Sequence, residues 1–122
     1  MFEFINSMKE VSAIKSFLKL ILILSFGLVL GGCSSLANYY NNKGYKEEQQ
    51  GKYDAAISNL NKAIKNNPNM WEAYNNRGLS YHHKKKYDQA IADYNKAIEL
   101  NPKEYKPYGN RGLTFYNQQM YD

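Results

Sequence analysis

The amino-acid sequence repeats itself, so that residues 37–70 align with residues 71–104 without a gap. Four shared motifs recur in the same order: Asn-Asn, Lys-Tyr-Asp, Asn-Lys-Ala-Ile and a late proline. A third copy begins at residue 105 and keeps the register as far as Asp122. A period of this length is typical of repeat proteins, in which each unit buries its apolar face against its neighbours. The chain is therefore predicted to be a short array of stacked units.

Each full repeat carries the pattern of two helices. In its second half, small and apolar residues recur three and four positions apart, which is the spacing of one helical face. These residues are Ala56, Leu60, Ala63 and Ile64 in the first repeat and Ala90, Tyr94, Ala97 and Ile98 in the second. The pattern predicts second helices near 54–66 and 88–100, and first helices near 38–50, 72–85 and 106–119.

Particular residues mark the ends and crossing points of these helices. Asp54 and Asp88 stand where each second helix begins, and we expect them to cap it. Pro68 and Pro102 stand where each second helix should end. Three glycines at equivalent positions lack a side chain where a neighbouring helix must come close: Gly44, Gly78 and Gly112.

This order of features resembles the tetratricopeptide repeat: an aromatic, a glycine four residues on, Tyr-Asp-x-Ala in the middle and a late proline. The resemblance implies an all-α fold, a TPR-type α-α superhelix of about two and a half antiparallel helix hairpins. Glu47 departs from the pattern, because Tyr81 and Phe115 stand at the equivalent positions. The implied units are repeat 1 at 37–70, repeat 2 at 71–104 and a partial repeat 3 at 105–122.

The third repeat stops before its second helix, and an array of this kind needs a capping element over its last apolar face. We therefore expect the chain to be a fragment of a longer product. One alternative function follows from this expectation. The chain would then be the N-terminal part of a longer envelope enzyme or secretion component, whose functional domain lies beyond residue 122.

In the tetratricopeptide family the first helix of each repeat lines a concave groove that binds a protein or peptide partner. The resemblance implies an asparagine ladder at equivalent positions, which offers donors and acceptors to the backbone of an extended peptide. The alternative is that these are ordinary solvated side chains in an asparagine-rich chain. The implied groove residues are Asn42, Tyr45, Asn76, Leu79, His83, Lys106 and Asn110.

Some family members bind chaperones by gripping a terminal carboxylate with a fixed set of Lys, Asn and Arg residues. Asn76 and Lys106 match that set by position. Asn41, Tyr45 and Asn110 stand where the other members of the set are expected. We therefore expect that this chain does not recognise a terminal carboxylate in that way.

The first third of the chain differs in composition from the repeats. Residues 20–30 carry no charge, three lysines precede them, and Gly31-Gly32-Cys33 follows. This is the layout of a secretory signal peptide, and its apolar centre is shorter than the roughly 20 residues that span a bilayer. An uncleaved leader in the inner membrane is the alternative.

Leu30-Gly31-Gly32-Cys33 resembles the bacterial lipobox. The resemblance implies a signal peptide at 1–32, lipid on Cys33 and a short linker at 33–36. Ser34 follows the cysteine, which in that family favours the periplasmic face of the outer membrane over the inner membrane. The alternative is that the cysteine merely ends an ordinary signal peptide.

Other function classes find little support in the composition. The net charge of +5 is spread among lysines that alternate with acidic residues, and no arginine-rich stripe indicates nucleic-acid binding. His82 and His83 are adjacent and lack further metal ligands. No nucleophile with a base and no phosphate loop is present, so we expect no enzyme, cofactor, metal or small-molecule substrate. The predicted function is a membrane-anchored scaffold or assembly factor in the bacterial cell envelope.

Overall fold

The computed structural model describes the backbone of residues 1–121, with the side chains of all of these except residues 2–7, 23–31, 33 and 121. Its regular secondary structure in that part of the chain is entirely α-helical, so the predicted all-α class is confirmed. The helices are α1 Phe2–Gln49, α2 Tyr53–Asn66, α3 Trp71–His83, α4 Tyr87–Leu100 and α5 Lys106–Tyr121. Four of them lie within a few residues of their predicted positions. The exception is α1, which begins at Phe2 instead of near residue 38, because no proline interrupts residues 2–49.

The chain divides into two compact units, Met1–Cys33 and Ser34–Asp122. In the first unit, residues 8–22 form part of α1 and all their side chains are exposed, apolar ones such as Phe17 included. Within the residues that the structure describes, no helix is both long and apolar enough to cross a membrane. The predicted lipidation of Cys33 concerns a side chain outside the described residues.

The second unit is built on two faces of small residues. Ala56, Leu60 and Ala63 lie on one face of α2 and have no solvent exposure. They pack in one cluster with Ala37 of α1 and Ala73 of α3. The same positions of α4, one repeat later, are Ala90, Tyr94 and Ala97, which are equally buried. The alanines let neighbouring helices approach closely, while the larger residue between them fills the space at each crossing.

Two of the three equivalent glycines lie at these crossings. A Cβ added to Gly44 would lie 2.6 Å from Cγ of Leu60, and one added to Gly78 would lie 2.7 Å from Cε1 of Tyr94. Both distances are too short for carbon atoms in contact. The first helix of each full repeat therefore packs against the second at a point where only glycine fits.

The two helices of each full repeat are joined by the same turn. The amide of Lys52 donates to the carbonyl of Glu47, and one repeat later the amide of Lys86 donates to that of Tyr81, both at 2.9 Å. These are the bonds of a Schellman motif, which needs one residue in the left-handed conformation. Gly51 and Lys85 are the residues that adopt it.

The prediction that Asp54 and Asp88 cap the second helices is wrong. The N-cap residues of α2 and α4 are lysines, and neither cap has a side-chain hydrogen bond. Asp54 instead pairs with Lys84, and Asp88 accepts a hydrogen bond of 3.0 Å from Nε2 of Gln118. Each aspartate therefore joins the second helix of one repeat to the first helix of the next.

Candidate functional site

The first helices of the three repeats enclose a cavity of about 550 Å³ within the second unit. Side chains from the C-terminal part of α1, from α3 and from α5 line it. Six of the seven residues predicted for the groove are among them: Asn42, Tyr45, Asn76, Leu79, Lys106 and Asn110. The cavity is large enough for part of a bound peptide.

His83 is the predicted groove residue that does not line the cavity. Its Nε2 atom lies 3.3 Å from Oε1 of the buried Glu48, and its ring stacks on that of Tyr53 with centroids 5.0 Å apart. The imidazole therefore lies against residues of the first repeat, where it contributes to packing between repeats.

Two hydrogen bonds between asparagine side chains connect the three first helices. Nδ2 of Asn76 on α3 donates to Oδ1 of Asn41 on α1, at 3.1 Å. Nδ2 of Asn110 on α5 donates to Oδ1 of Asn75 on α3, at 3.0 Å. The two bonds are the same contact, displaced by one repeat. Each donating amide keeps a second N–H and its own carbonyl oxygen for another partner.

The backbone below this ladder is held in the same repeated way. The hydroxyl of Ser80 donates to the carbonyl oxygen of Asn76 at 3.3 Å, and that of Thr114 donates to Asn110 at 2.7 Å. Asn42 stands at the first position of the ladder and is exposed. No hydrogen bond joins its side chain to any part of the chain that the structure describes. The ladder thus consists of two oriented amides and one free amide.

Aromatic side chains and two opposite charges form the rest of the lining. Trp71, Tyr45 and Tyr105 contribute rings, and Tyr105 has the largest exposed fraction, 76%. Glu72 and Lys106 are the charged residues of the lining. The surface therefore offers flat apolar contacts, amide hydrogen bonds and one site for each sign of charge.

Among the lining residues that the sequence did not indicate are Trp71, Asn75, Tyr105 and Gly109. Trp71 precedes Asn75 by four positions, so the two lie on one face of α3. Tyr105 directly precedes α5, and its carbonyl accepts from the amide of Gly109 at 3.2 Å. A search for side chains one turn away from the ladder could have found them.

The adjacent histidines form no metal site, and among the described residues no cluster of His, Cys, Asp and Glu could hold a metal ion. Nδ1 of His82 lies 2.7 Å from Oγ1 of Thr114, and its Nε2 lies 3.1 Å from Nδ2 of Asn117. Burial and then the neighbouring charge of His83 lower the pKa of His82. Both ring nitrogens thus serve contacts between α3 and α5.

Comparison with known proteins places the repeats in a family. The family model of the tetratricopeptide repeat matches residues 71–104, and a second model, a TPR repeat, matches residues 44–85. The first TPR domain of human RPAP3 is 33% identical, with a TM-score of 0.68, and the match covers 71% of this chain and 68% of that one. The chain belongs to the tetratricopeptide repeat family.

Other TPR structures agree with this assignment. The first TPR of Spaghetti (RPAP3), bound to the HSP90 peptide SRMEEVD, is 34% identical, with a TM-score of 0.68 and coverage of 71% of either chain. The TPR domain of Arabidopsis OM64 is 24% identical, with a TM-score of 0.69, and shows the same fold over 73% of this chain and 74% of that one. Among curated proteins, no relative matches the chain. Folds of this kind typically serve as non-catalytic scaffolds for protein interactions.

Proposed function

We propose that this TPR protein is a lipid-anchored scaffold of the bacterial cell envelope, which holds a partner protein by an extended segment of the partner's chain. The segment lies in the groove between α1, α3 and α5. The observation that carries the proposal is the repeated asparagine bond, Asn76 to Asn41 and Asn110 to Asn75. Because these bonds orient the ladder amides before a partner arrives, less side-chain entropy is lost on binding.

The chemistry of the ladder suits the backbone of a peptide. An extended peptide presents N–H and C=O groups along its edge, and each ladder amide has a donor and an acceptor to offer. Aromatic rings of the lining provide apolar contact for the peptide side chains. Recognition through the backbone tolerates several sequences, so selectivity would come from the rings and from Glu72 and Lys106.

The related Spaghetti domain supports binding of a peptide in this fold, since it is bound to SRMEEVD. At the positions expected to grip a terminal carboxylate, this chain has Lys106 as its cation, beside Asn41, Tyr45 and Asn110. With one cation, the groove offers weak attraction to a terminal carboxylate. We propose that it binds internal segments of a partner and does not depend on a free C-terminus.

The membrane anchor is the second half of the proposal and rests on the sequence. Residues 1–32 would be removed as a signal peptide, and Cys33 would receive the lipid, with 33–36 as a linker before the repeats at 37–70, 71–104 and 105–122. Each buried CH₂ group contributes about 0.8 kcal/mol, so two or three acyl chains anchor stably where one does not. Ser34 after the cysteine favours the periplasmic face of the outer membrane.

The anchor is tested by replacing the modified atom. Cys33→Ser in bacterial cells should abolish incorporation of labelled palmitate and leave the precursor uncut. Ser35→Ala, two residues away, is the control and should be processed as the wild type is. Equal labelling of the Cys33→Ser protein would disprove lipidation at this residue.

The groove is tested with a displayed library of random heptapeptides, selected on the full chain with free and with amidated C-termini. Asn42→Ala is the sharpest variant, because Asn42 is exposed and its loss breaks no bond within the described chain. This substitution should raise the dissociation constant of the selected peptides about fivefold, since one hydrogen bond contributes about 1 kcal/mol. Asn69→Ala, at an exposed asparagine outside the lining, is the matched control.

Equal binding of the selected peptides to wild type and Asn42→Ala would remove the ladder from the binding site. Loss of binding on amidation of the peptide C-terminus would show instead that a terminal carboxylate is the main anchor. Either result contradicts the groove as proposed.

A further inference from the structure

One edge of the groove carries both of its charges. Three side-chain hydrogen bonds join α3 to α1 or α5 to α3, and each of them spans 35 positions. The first helices therefore run parallel, and their N-terminal turns lie at the same edge of the groove. The lining residues at this edge are Trp71, Glu72, Tyr105 and Lys106. We call these four residues the charged rim.

The opposite edge of the groove has no charge in its lining. Tyr45 and Leu79 each follow a ladder asparagine by three positions, so they lie about one turn nearer the C-terminal ends of α1 and α3. Gln49 lies one turn further along α1, and its Nε2 donates to the buried Glu48 at 2.7 Å. All three line the cavity, and we call Tyr45, Gln49 and Leu79 the uncharged rim.

The asparagine ladder lies between the two rims. Glu72 precedes Asn76 by four positions and Lys106 precedes Asn110 by four, so each charge lies one turn from a ladder amide. An extended chain directs successive side chains to opposite sides. If its backbone groups face the ladder, alternate side chains meet the charged rim, and the side chains between them meet the uncharged rim.

Both charges of the rim are available to a partner. The side chains of Glu72 and Lys106 are exposed, and neither has an ion pair or a hydrogen bond with any residue that the structure describes. Glu104 accepts from the backbone amide of Lys106 at 3.4 Å and not from its ammonium group. A cation in the first turn of a helix is repelled by the helix dipole, so stabilisation of α5 does not account for Lys106.

We propose that the groove selects an internal segment in which apolar residues alternate with one basic and one acidic residue, two positions apart. The basic residue would pair with Glu72 and the acidic residue with Lys106, while the apolar residues lie against the uncharged rim. Two residues of extended chain span about 7 Å, and packed helices lie about 8–10 Å apart, a difference that long charged side chains can cover. This inference rests on the groove proposed above and names the segment that it binds.

Designed heptapeptides with blocked ends and a fluorescein label test the pattern. Two of them have the cores Leu-Arg-Leu-Glu-Leu and Leu-Glu-Leu-Arg-Leu between serines, and the one that binds more tightly is the reference peptide, because the direction of the segment decides the order of the charges. A third peptide has glutamine in place of both charges. The fourth has the core Leu-Leu-Arg-Glu-Leu, which directs the two charges to opposite rims.

Fluorescence anisotropy with the full chain in mild detergent gives the dissociation constants. The reference peptide should bind about fivefold more tightly than the glutamine peptide, as expected for two exposed ion pairs. It should bind at least about twofold more tightly than the fourth peptide, which can form one of the two pairs at a time.

Charge reversal in the protein should change the preferred peptide. Glu72→Lys should favour the core Leu-Glu-Leu-Glu-Leu over the reference peptide, and Lys106→Glu should favour Leu-Arg-Leu-Arg-Leu. Lys106→Glu places an acidic residue in the first turn of α5, which does not weaken the helix, so circular dichroism should show an unchanged fold. Lys103→Glu, at an exposed lysine outside the lining, makes the same change in net charge and should leave the reference peptide preferred.

The uncharged rim is tested separately with Tyr45→Ser. This substitution should raise the dissociation constants of the reference and glutamine peptides by the same factor, about fivefold, because both lose the same contact with an aromatic ring. A change in the ratio of the two constants would contradict the assignment of Tyr45 to the uncharged rim.

The outcomes distinguish the segment from the groove itself. Equal binding of the reference and glutamine peptides would overturn the inference and leave a groove that binds peptides without regard to charge. Equal binding of the reference peptide and the fourth peptide would overturn the alternation. Unchanged preferences in Glu72→Lys and Lys106→Glu would overturn the assignment of the charges to this rim. If none of the designed peptides binds, the inference is wrong, and the library selection alone decides whether the groove binds peptides.

Discussion

Lys85 stands one repeat after Gly51 and shares its left-handed backbone conformation, with φ of +59° against +73°. Both residues occupy the turn between the helices of a repeat, and the two Schellman bonds of that turn are the same in the two repeats. Glycine adopts this conformation without steric cost, whereas a residue with a Cβ places it too close to the following carbonyl oxygen. The second repeat therefore keeps the turn of the first at the expense of local strain.

We predict that Lys85→Gly stabilises the protein, by up to about 1 kcal/mol, because relief of the strain exceeds the extra entropy of glycine in the unfolded chain. Gly51→Lys should destabilise it by a similar amount. Urea unfolding followed by circular dichroism measures both. Lys86→Gly is the control, since Lys86 has φ of −89° and gains no relief. A Lys85→Gly protein less stable than the wild type would show that the interactions of the Lys85 side chain stabilise the fold by more than the left-handed conformation destabilises it.

Two equivalent glycines should respond in opposite directions to the same substitution. Gly78→Ala forces a methyl group against the ring of Tyr94 and should cost about 1–3 kcal/mol of unfolding free energy, as overpacking of a core does. The methyl group added by Gly112→Ala meets nothing within 4 Å. This substitution should therefore raise the free energy of unfolding by up to about 1 kcal/mol, because alanine has the higher helix propensity. Thermal unfolding of the two variants gives the comparison. Equal destabilisation by both would mean that another helix already packs against Gly112.

The repeat register explains why most of the candidate groove could be located from sequence. Asn42, Asn76 and Asn110 occupy equivalent positions, and the structure brings all three to one cavity. The bonds of Asn41 and Asn75 to the ladder could not be predicted in the same way. They depend on the displacement between successive first helices, which is set by the packing of α2 and α4 between them.

Two misplaced residues show where local rules fail. Asp54 has the sequence position of a helix cap, but Lys84 of the next repeat pairs with it instead. The resemblance to the tetratricopeptide repeat implies a groove position for His83. Its side chain goes to Glu48 and Tyr53, because an acidic partner and a flat ring are both within reach there. In each case a residue from another repeat decides the outcome.

The pair of Arg77 and Asp93 should contribute more to stability than a surface ion pair. The exposed fractions of the two side chains are 21% and 8%. Burial raises the pKa of Asp93, and the hydrogen bonds and charge of Arg77 offset this in part. Arg77→Met leaves a buried carboxylate without a partner, and we expect it to cost about 3 kcal/mol, the lower end of the range for such losses.

A double-mutant cycle separates the pair from the loss of packing. Adding Asp93→Asn to Arg77→Met should restore at least about 1 kcal/mol of the lost free energy of unfolding, because the second substitution removes the unpaired charge. Urea unfolding of the wild type, both single variants and the double variant gives the coupling free energy. If the effects of the two substitutions on the free energy of unfolding are additive, the coupling free energy is zero and the contact between Arg77 and Asp93 does not stabilise the fold.

His82 should make the stability of the repeats depend on pH. The hydroxyl of Thr114 already donates to Asn110, so it accepts from Nδ1–H of His82, while Nε2 accepts from Asn117. Neutral imidazole satisfies both contacts, whereas a protonated ring would point a second N–H at the amide group of Asn117. Burial and the neighbouring His83 lower the pKa of His82 from 6.5, and Tyr87 packs against the same ring.

Because the folded pKa lies below the unfolded one, the unfolded chain binds more protons once the pH falls below 6.5. The free energy of unfolding should therefore decrease as the pH falls through 6.5, and this loss should level off below the folded pKa. Urea unfolding between about pH 7.5 and pH 5.5 avoids the range where carboxylates titrate. His82→Gln keeps a polar side chain and removes the titration, so its difference in stability from the wild type should shrink as the pH falls. A difference that stays constant across this range would show that His82 has the same pKa in the folded and unfolded chain.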